Sequence, residues 1–221
     1  MDKLFAAVDD YFIEKLVGQD PIFEQILANN KQHQLPPHDV SPSQGKFLYL
    51  LTKIKRAKRI LEIGTLGGYS TLWFARGLEE DGEIITLESN EKHAEVAKEN
   101  LALAGVSDKV TILVGAATDS LEKLVQDQTP AFDLIFIDAD KENNSAYLDY
   151  GLQLATEGTI IIGDNVVRGG AVLDSTSKDG RVQGVRSFVE DLADNSALSS
   201  TALEIVGVKG YDGFTISIVE K

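Results

Sequence analysis

The chain has no cysteine among its 221 residues, which excludes disulfides and thiolate metal sites and fits a cytoplasmic protein. No apolar run approaches the ~20 residues that a membrane-crossing helix needs. The first residues, MDKLFAAVDDYFIEKLV, are acidic where a secretory signal would be basic and then apolar, so no signal peptide is expected. Internal repeats and low-complexity stretches are missing too. Positive charge is scarce: 21 Lys and Arg against 35 Asp and Glu leave a net charge of −14, which disfavours nucleic acid as the main ligand. One basic cluster, Lys53, Lys55, Arg56, Lys58 and Arg59, fits the end of a helix, where cations suit the dipole and face water.

What is present is an ordinary globular composition, 43% hydrophobic and 25% charged, in a chain long enough to bury its own core. Residues 3–17 and 20–34 carry apolar positions at helical spacing, with Leu4, Phe5, Val8, Phe12 and Leu16 on one face of the first. Three prolines in LPPHDVSPSQG then break the pattern. Ser43 stands just before a third helical stretch, GKFLYLLTKIKR. From residue 58 the rhythm changes. RILEI, EIITLE, KVTILV, FDLIFID and GTIIIGD are short β-branched runs separated by helix-patterned sequence, with Gly105 closing one helix. Apolar strands alternating with helices predict a parallel sheet covered on both faces. The tail, TALEIVGVKGYDGFTISIVEK, predicts an antiparallel hairpin turning at Tyr211, Asp212 and Gly213. The expected architecture is one doubly wound α/β domain, with a mostly parallel seven-stranded sheet, a C-terminal hairpin and an N-terminal helical cap. Ligands in such a sheet bind beyond the carboxyl ends of the strands, where strand order reverses.

The first strand ends in EIGTLGGYS. Gly64, Gly67 and Gly68 allow a tight turn and close approach of a ligand, and Ser70 is placed to cap the next helix. A dinucleotide loop would need glycine at 66 and 69, but Leu66 and Tyr69 stand there, and no Gly-Lys-Ser/Thr of a phosphate loop follows. The second strand ends at Glu88, whose carboxylate can accept hydrogen bonds from two ribose hydroxyls. A glycine turn with a ribose-binding acid but no pyrophosphate cradle points to an adenosyl ligand such as S-adenosylmethionine (SAM). The third strand adds VGAATDSL, where small residues could lie against an adenine and Asp119 could cap or hydrogen-bond.

The fourth and fifth strands end in acids and amides: Asp138, Asp140 and Lys141 on one, Asp164 and Asn165 on the other. On neighbouring strands about 4.8 Å apart, Asp138, Asp164 and Asn165 can converge. Two carboxylates and an amide oxygen suit Mg²⁺, with Mn²⁺ or Ca²⁺ as alternatives. Structural zinc is excluded, because His33, His38 and His93 are scattered and no cysteine is available.

With LEIGTLGGYS, FIDADK, DNVVRGGAV and KGYDGF in this order, the chain resembles the metal-dependent O-methyltransferases of the catechol and caffeoyl-coenzyme A type from about residue 38 onward. The resemblance implies Asp138, Asp164 and Asn165 as metal ligands and Lys141 as general base, with Asp138 close to the methionine part of SAM. It places Glu62, Gly64, Thr65, Gly68, Ser70, Glu88, Ala116, Ala117 and Asp138 around the cofactor. It implies a small aromatic vicinal diol as acceptor, walled by His38, Arg168 and Tyr211, and a homodimer joined through N-terminal helices. Residues 1–45 would form the cap and 46–221 the transferase domain. Val206 falls where one branch of the family carries an acid for the second catechol hydroxyl, and Leu66 where some relatives are aromatic. Residues 163–184 hold five glycines and few large apolar residues, which predicts a mobile loop over the acceptor. Two other readings share these motifs: methylation of a hydroxylated uridine in transfer RNA, and a non-catalytic adenosyl-binding protein. A nicotinamide enzyme is disfavoured by Leu66 and Tyr69.

Overall fold

The computed structural model describes residues 3–220. The expected alternation is present. Strands β1 (Arg59–Ile63), β2 (Glu83–Glu88), β3 (Val110–Val114), β4 (Phe132–Ile137) and β5 (Ala155–Asp164) run parallel. In the C-terminal hairpin of β6 (Leu198–Gly207) and β7 (Gly210–Val219) it is β7 that runs antiparallel, both to β5 and to β6. The sheet order is β3-β2-β1-β4-β5-β7-β6. Strand order therefore reverses between β1 and β4.

Period-2 alternation along each central strand divides the core in two. Ile60, Leu134 and Phe136 face α2 (Pro21–Gln32), α3 (Pro42–Lys55), α4 (Tyr69–Gly77) and α5 (Glu91–Leu103), which contribute Ile26, Leu48, Phe74 and Leu101. Their sequence neighbours Leu61, Ile135 and Ile137 face α6 (Ala117–Gln126), α7 (Asn144–Gln153) and α8 (Gly180–Asp194), which contribute Leu121, Leu148 and Phe188. A strand buried on both faces has no polar side. That is why these strands read as continuous apolar runs.

The N-terminal helix pattern holds, in two pieces: α1 (Lys3–Phe12) passes into a five-residue π-helix, Ile13–Val17. No residue of α1 is buried among the described residues, and Phe5, Val8, Tyr11 and Phe12 stand exposed, while Asp9 ties the helix to Ser43 and to Val208 N. Helix α3 starts earlier than expected. Its cap is Ser41, whose Oγ accepts from Gln44 N at 3.1 Å, while Ser43 Oγ donates to Asp9 at 2.7 Å. The helix runs through residue 45, the expected cap boundary. The basic cluster lies at its end and beyond, with Lys58 paired to Asp81 at 2.6 Å on the surface.

Two local expectations are corrected. The hairpin turns at Val208 and Lys209, between Gly207 and Gly210, not at 211–213. Asp212 is committed elsewhere: its Oδ1 accepts from the backbone N–H groups of Val167 and Arg168 at 2.9 and 3.1 Å, tying β7 to the segment after β5. Residues 163–184 are also not one loop. They contain the end of β5, a 3-10 segment at Arg168–Leu173 kinked by Gly169 and Gly170, and the first turn of α8, capped by Asp179. Two of the glycines serve packing: a Cβ on Gly163 would fall 2.5 Å from the Phe188 ring, and one on Gly184 would fall 2.1 Å from the Lys141 carbonyl oxygen.

Candidate active site

Beyond the carboxyl ends of β1 and β4 lies a cavity of about 780 Å³, within the range of small-molecule sites. Its walls come from the glycine loop after β1, the ends of β2, β4 and β5, the start of α6, residues 36–44 and the β6–β7 tip. The register explains the convergence. Ile63 pairs with Ile137, and Ile137 with Gly163, so the next residues, Gly64, Asp138 and Asp164, stand abreast. Gly64 adopts φ +102°, and a Cβ there would sit 2.1 Å from the Asp138 carbonyl oxygen. Only glycine allows this approach.

On the glycine-loop side, the Glu88 carboxylate is buried and accepts from Leu66 N at 2.8 Å and Asn90 N at 2.9 Å. A carboxylate offers about four acceptor sites, so Glu88 keeps capacity toward the cavity. Gly64, Thr65, Ser70, Ala116 and Ala117 line the same side.

Three expected site residues stand outside the wall. Gly68 caps α4 in a left-handed conformation. Tyr211 points away from the cavity, because its neighbours Gly210 and Asp212 line it and side chains alternate along β7. Glu62 is fully buried behind Ser70. The hydroxyls of Ser70 (2.6 Å), Thr71 and Thr86 (2.7 Å) donate to its carboxylate, and Thr86 in turn meets Thr65 at 2.7 Å. Ser70 is therefore not a helix cap but a link between Glu62 and the cavity.

Burial pushes the Glu62 carboxyl from 4.5 up to about 7, against the pull of the three hydroxyls and with a further push from Asp138. An acid with a raised folded-state pKa stabilises the fold most when protonated. That contribution is fully present below about pH 4.5 and is lost as pH rises through 7. Thermal unfolding between pH 5 and 7.5 should show the native protein losing stability as pH rises, by up to ~3 kcal/mol from this group. Glu62→Gln should reduce that slope, leaving the part that the raised Asp164 carboxyl contributes, and an unchanged slope would remove Glu62 as a source.

On the opposite side, Asp164 and Asp138 face each other. Burial, and then the Asp138 charge, raise the Asp164 carboxyl well above its usual range. Asp164 Oδ1 accepts from Gln44 Nε2 at 2.8 Å, and Oδ2 from Asn165 Nδ2 at 3.3 Å. Asn165 sits at φ +56°, a left-handed conformation that Asn tolerates better than most residues. The buried Lys141 donates from Nζ to Asp138 Oδ1 at 2.9 Å. Asp140 accepts from Tyr147 OH and Asn143, which holds the short turn carrying Lys141. Among the described residues, no group of three or more His, Cys, Asp or Glu side chains is placed to hold a metal ion. The candidate set has two carboxylates and an amide. Two facing carboxylates, Asp164 buried and displaced upward in pKa and Asp138 partly exposed toward the cavity, do fit a divalent cation, which would relieve the burial of one and the repulsion between both.

His38, Asp39 and Arg168 line the cavity, and so do residues with no sequence signal of a role: Gln44, Tyr69, Tyr147 and His93, the last 3.6 Å from Glu88. Gln44 reaches Asp164 across 120 positions, which no local pattern announces. Among the described residues, no helix is long and apolar enough to cross a membrane.

A model of the O-methyltransferase family matches residues 14–217. A catechol O-methyltransferase of Niastella koreensis is 44% identical over 99% of both chains, and one of Mycobacterium tuberculosis is 46% identical over 96% of this chain and 94% of its own. Among solved structures, the O-methyltransferase from Bacillus cereus in complex with SAH superposes with a TM-score of 0.98 at 51% identity, covering 100% of each chain. With a glycine loop free of any pyrophosphate fingerprint set into that fold, the chain belongs to the O-methyltransferase family, the class I S-adenosylmethionine-dependent enzymes of bacterial type.

Proposed function

We propose that this enzyme transfers the methyl group of SAM to one hydroxyl of a small aromatic vicinal diol, with a divalent cation, Mg²⁺ foremost, held by Asp138, Asp164 and Asn165. The observation that carries the reading is the meeting of that trio and Lys141 with the glycine loop and Glu88 in one cavity. Relatives named catechol O-methyltransferase support the acceptor class.

In this reading Glu88 takes the ribose hydroxyls with its remaining lone pairs, Thr65 and Ser70 line the sulfonium side, and Ala116 and Ala117 flank the adenine. A bound cation would supply Lewis acidity and a fixed geometry for two adjacent oxygens, which lowers the pKa of a phenol from its free value near ~10. Lys141, as the neutral amine, takes the hydroxyl proton, and the ammonium so formed pairs with Asp138. The acceptor oxygen then bonds to the methyl carbon in line with the breaking carbon–sulfur bond, leaving a methyl ether and a thioether. Gln44 orients Asp164, and Asp140 with Tyr147 keeps Lys141 in place. His38 and Arg168 wall the acceptor. Residues 1–45 act as the acceptor-side cap over the transferase body of 46–221.

The same reading includes a homodimer in the cytoplasm. Supporting it are the exposed side chains Phe5, Val8, Tyr11 and Phe12 of α1 and Leu16 of the π-helix that follows, and a chain without cysteine.

The test is a screen of vicinal diols, monophenols and transfer RNA with labelled SAM and Mg²⁺, read by mass spectrometry. Label on diols alone is expected. Label confined to transfer RNA, with salt-sensitive binding, would overturn the small-molecule acceptor.

A further inference from the structure

A buried polar bridge joins the two halves of the cavity. Asn100 Nδ2, on α5, donates to the Gly67 carbonyl oxygen at 2.8 Å and to Asn30 Oδ1 at 2.8 Å. Asn30 Nδ2, on α2, then donates to Asp39 Oδ1 at 3.0 Å, and Asp39 lines the cavity beside His38. Asn29 completes the bridge by donating to Asn100 Oδ1 at 2.8 Å, which fixes the Asn100 amide. Asn100 is 0% and Asn30 3% exposed. Buried amides are retained only where their hydrogen bonds are met, because an orphaned one costs more than an apolar replacement. The contact is also close. Gly67 is not in a left-handed conformation, yet a Cβ on it would fall 2.0 Å from Asn30 Oδ1. Glycine at 67 makes room for Asn30, not for a turn.

We infer that Asn30 and Asn100 are positioning residues that lock the glycine loop to the wall carrying Asp39, so that cofactor and acceptor are held in one register. The inference rests on the assignment of these two halves to SAM and to the acceptor. Neither asparagine lines the cavity, and the bridge spans 70 positions of sequence. Disturbing it should therefore worsen binding on both sides at once, which disturbance of either wall alone would not.

The bridge has a polarity that can be reversed. Asn30→Asp sets two carboxylates against each other. The double variant Asn30→Asp with Asp39→Asn restores it, since the new carboxylate accepts from both Asn100 and the new amide. Calorimetry with S-adenosylhomocysteine and steady-state kinetics with a catechol should show N30D raising both the cofactor Kd and the acceptor KM by about tenfold or more. The double variant should bring both to within about threefold of the values for Asp39→Asn alone, which sets the reference because Asp39 itself lines the cavity. If N30D does not fold, Gly67→Ala disturbs the same contact from the loop side, and again both constants should rise. A change in one constant without the other, or no recovery in the double variant, would overturn the bridge as a coupling device. Failure of the unsubstituted protein to bind S-adenosylhomocysteine would instead overturn the cofactor assignment, and the inference with it.

Discussion

Asp164→Asn should reduce kcat/KM by on the order of 10³-fold while leaving the metal-free protein no less stable than before. The two halves of that result have one cause. Asp164 is 3% exposed and faces Asp138, and its raised carboxyl pKa shows that burial and repulsion oppose its charge. An amide of the same shape can still accept from Gln44 and carries no charge to desolvate, so the apo fold gains or holds its stability. Catalysis loses the charge that would hold the cation. Partners one step removed from a metal are typically worth ~10- to 100-fold, and a direct ligand should be worth more. Thermal melts in chelator and turnover in Mg²⁺ read the two halves separately. Unchanged turnover would take Asp164 out of the site. A fall in stability equal to the loss of activity would make it a structural residue.

The second large effect is expected at Lys141. Lys141→Met removes the group proposed to take the acceptor proton and leaves a side chain of similar length in the buried slot. The kcat should fall by ~10²- to 10⁴-fold, the usual worth of a positioned proton acceptor, with a smaller change in acceptor KM. Arginine should not rescue it, because a guanidinium does not give up its proton near neutral pH. A loss below ~10-fold in both variants would make Lys141 only the ion-pair partner of Asp138.

Much of this was legible because the chemistry sits at strand ends. Parallel strands buried on both faces read as apolar runs, and the residue that ends each run must lie at the edge of the sheet, where ligands bind. Gly64, Glu88, Asp138 and Asp164 were all found that way. What stayed hidden depends on the other partner of a contact. Gln44 lies on a helix with nothing to mark that it faces Asp164. Asn30 and Asn100 look like ordinary helix-surface residues until α2 and α5 are packed together. Gly163 and Gly184 read as flexibility, whereas Phe188 and the Lys141 carbonyl occupy the space a side chain would need. The hairpin was displaced because Asp212-Gly213 is a good turn sequence, and only the tertiary bonds from Val167 and Arg168 draw Asp212 elsewhere. Glu62 carries an acid where the resemblance expects one, but its three hydroxyl donors face inward. Its link to the cavity runs through Ser70.

The central claim is a cation-assisted transfer within this cavity, and metal-stripped protein tests it most directly. The protein is given labelled SAM and a vicinal diol in chelator, then supplied with Mg²⁺, Mn²⁺ or Ca²⁺, and the singly methylated product is followed by mass spectrometry. No product in chelator, and its return on adding a divalent cation, is the predicted result. Undiminished methylation in the complete absence of divalent cations would contradict the account.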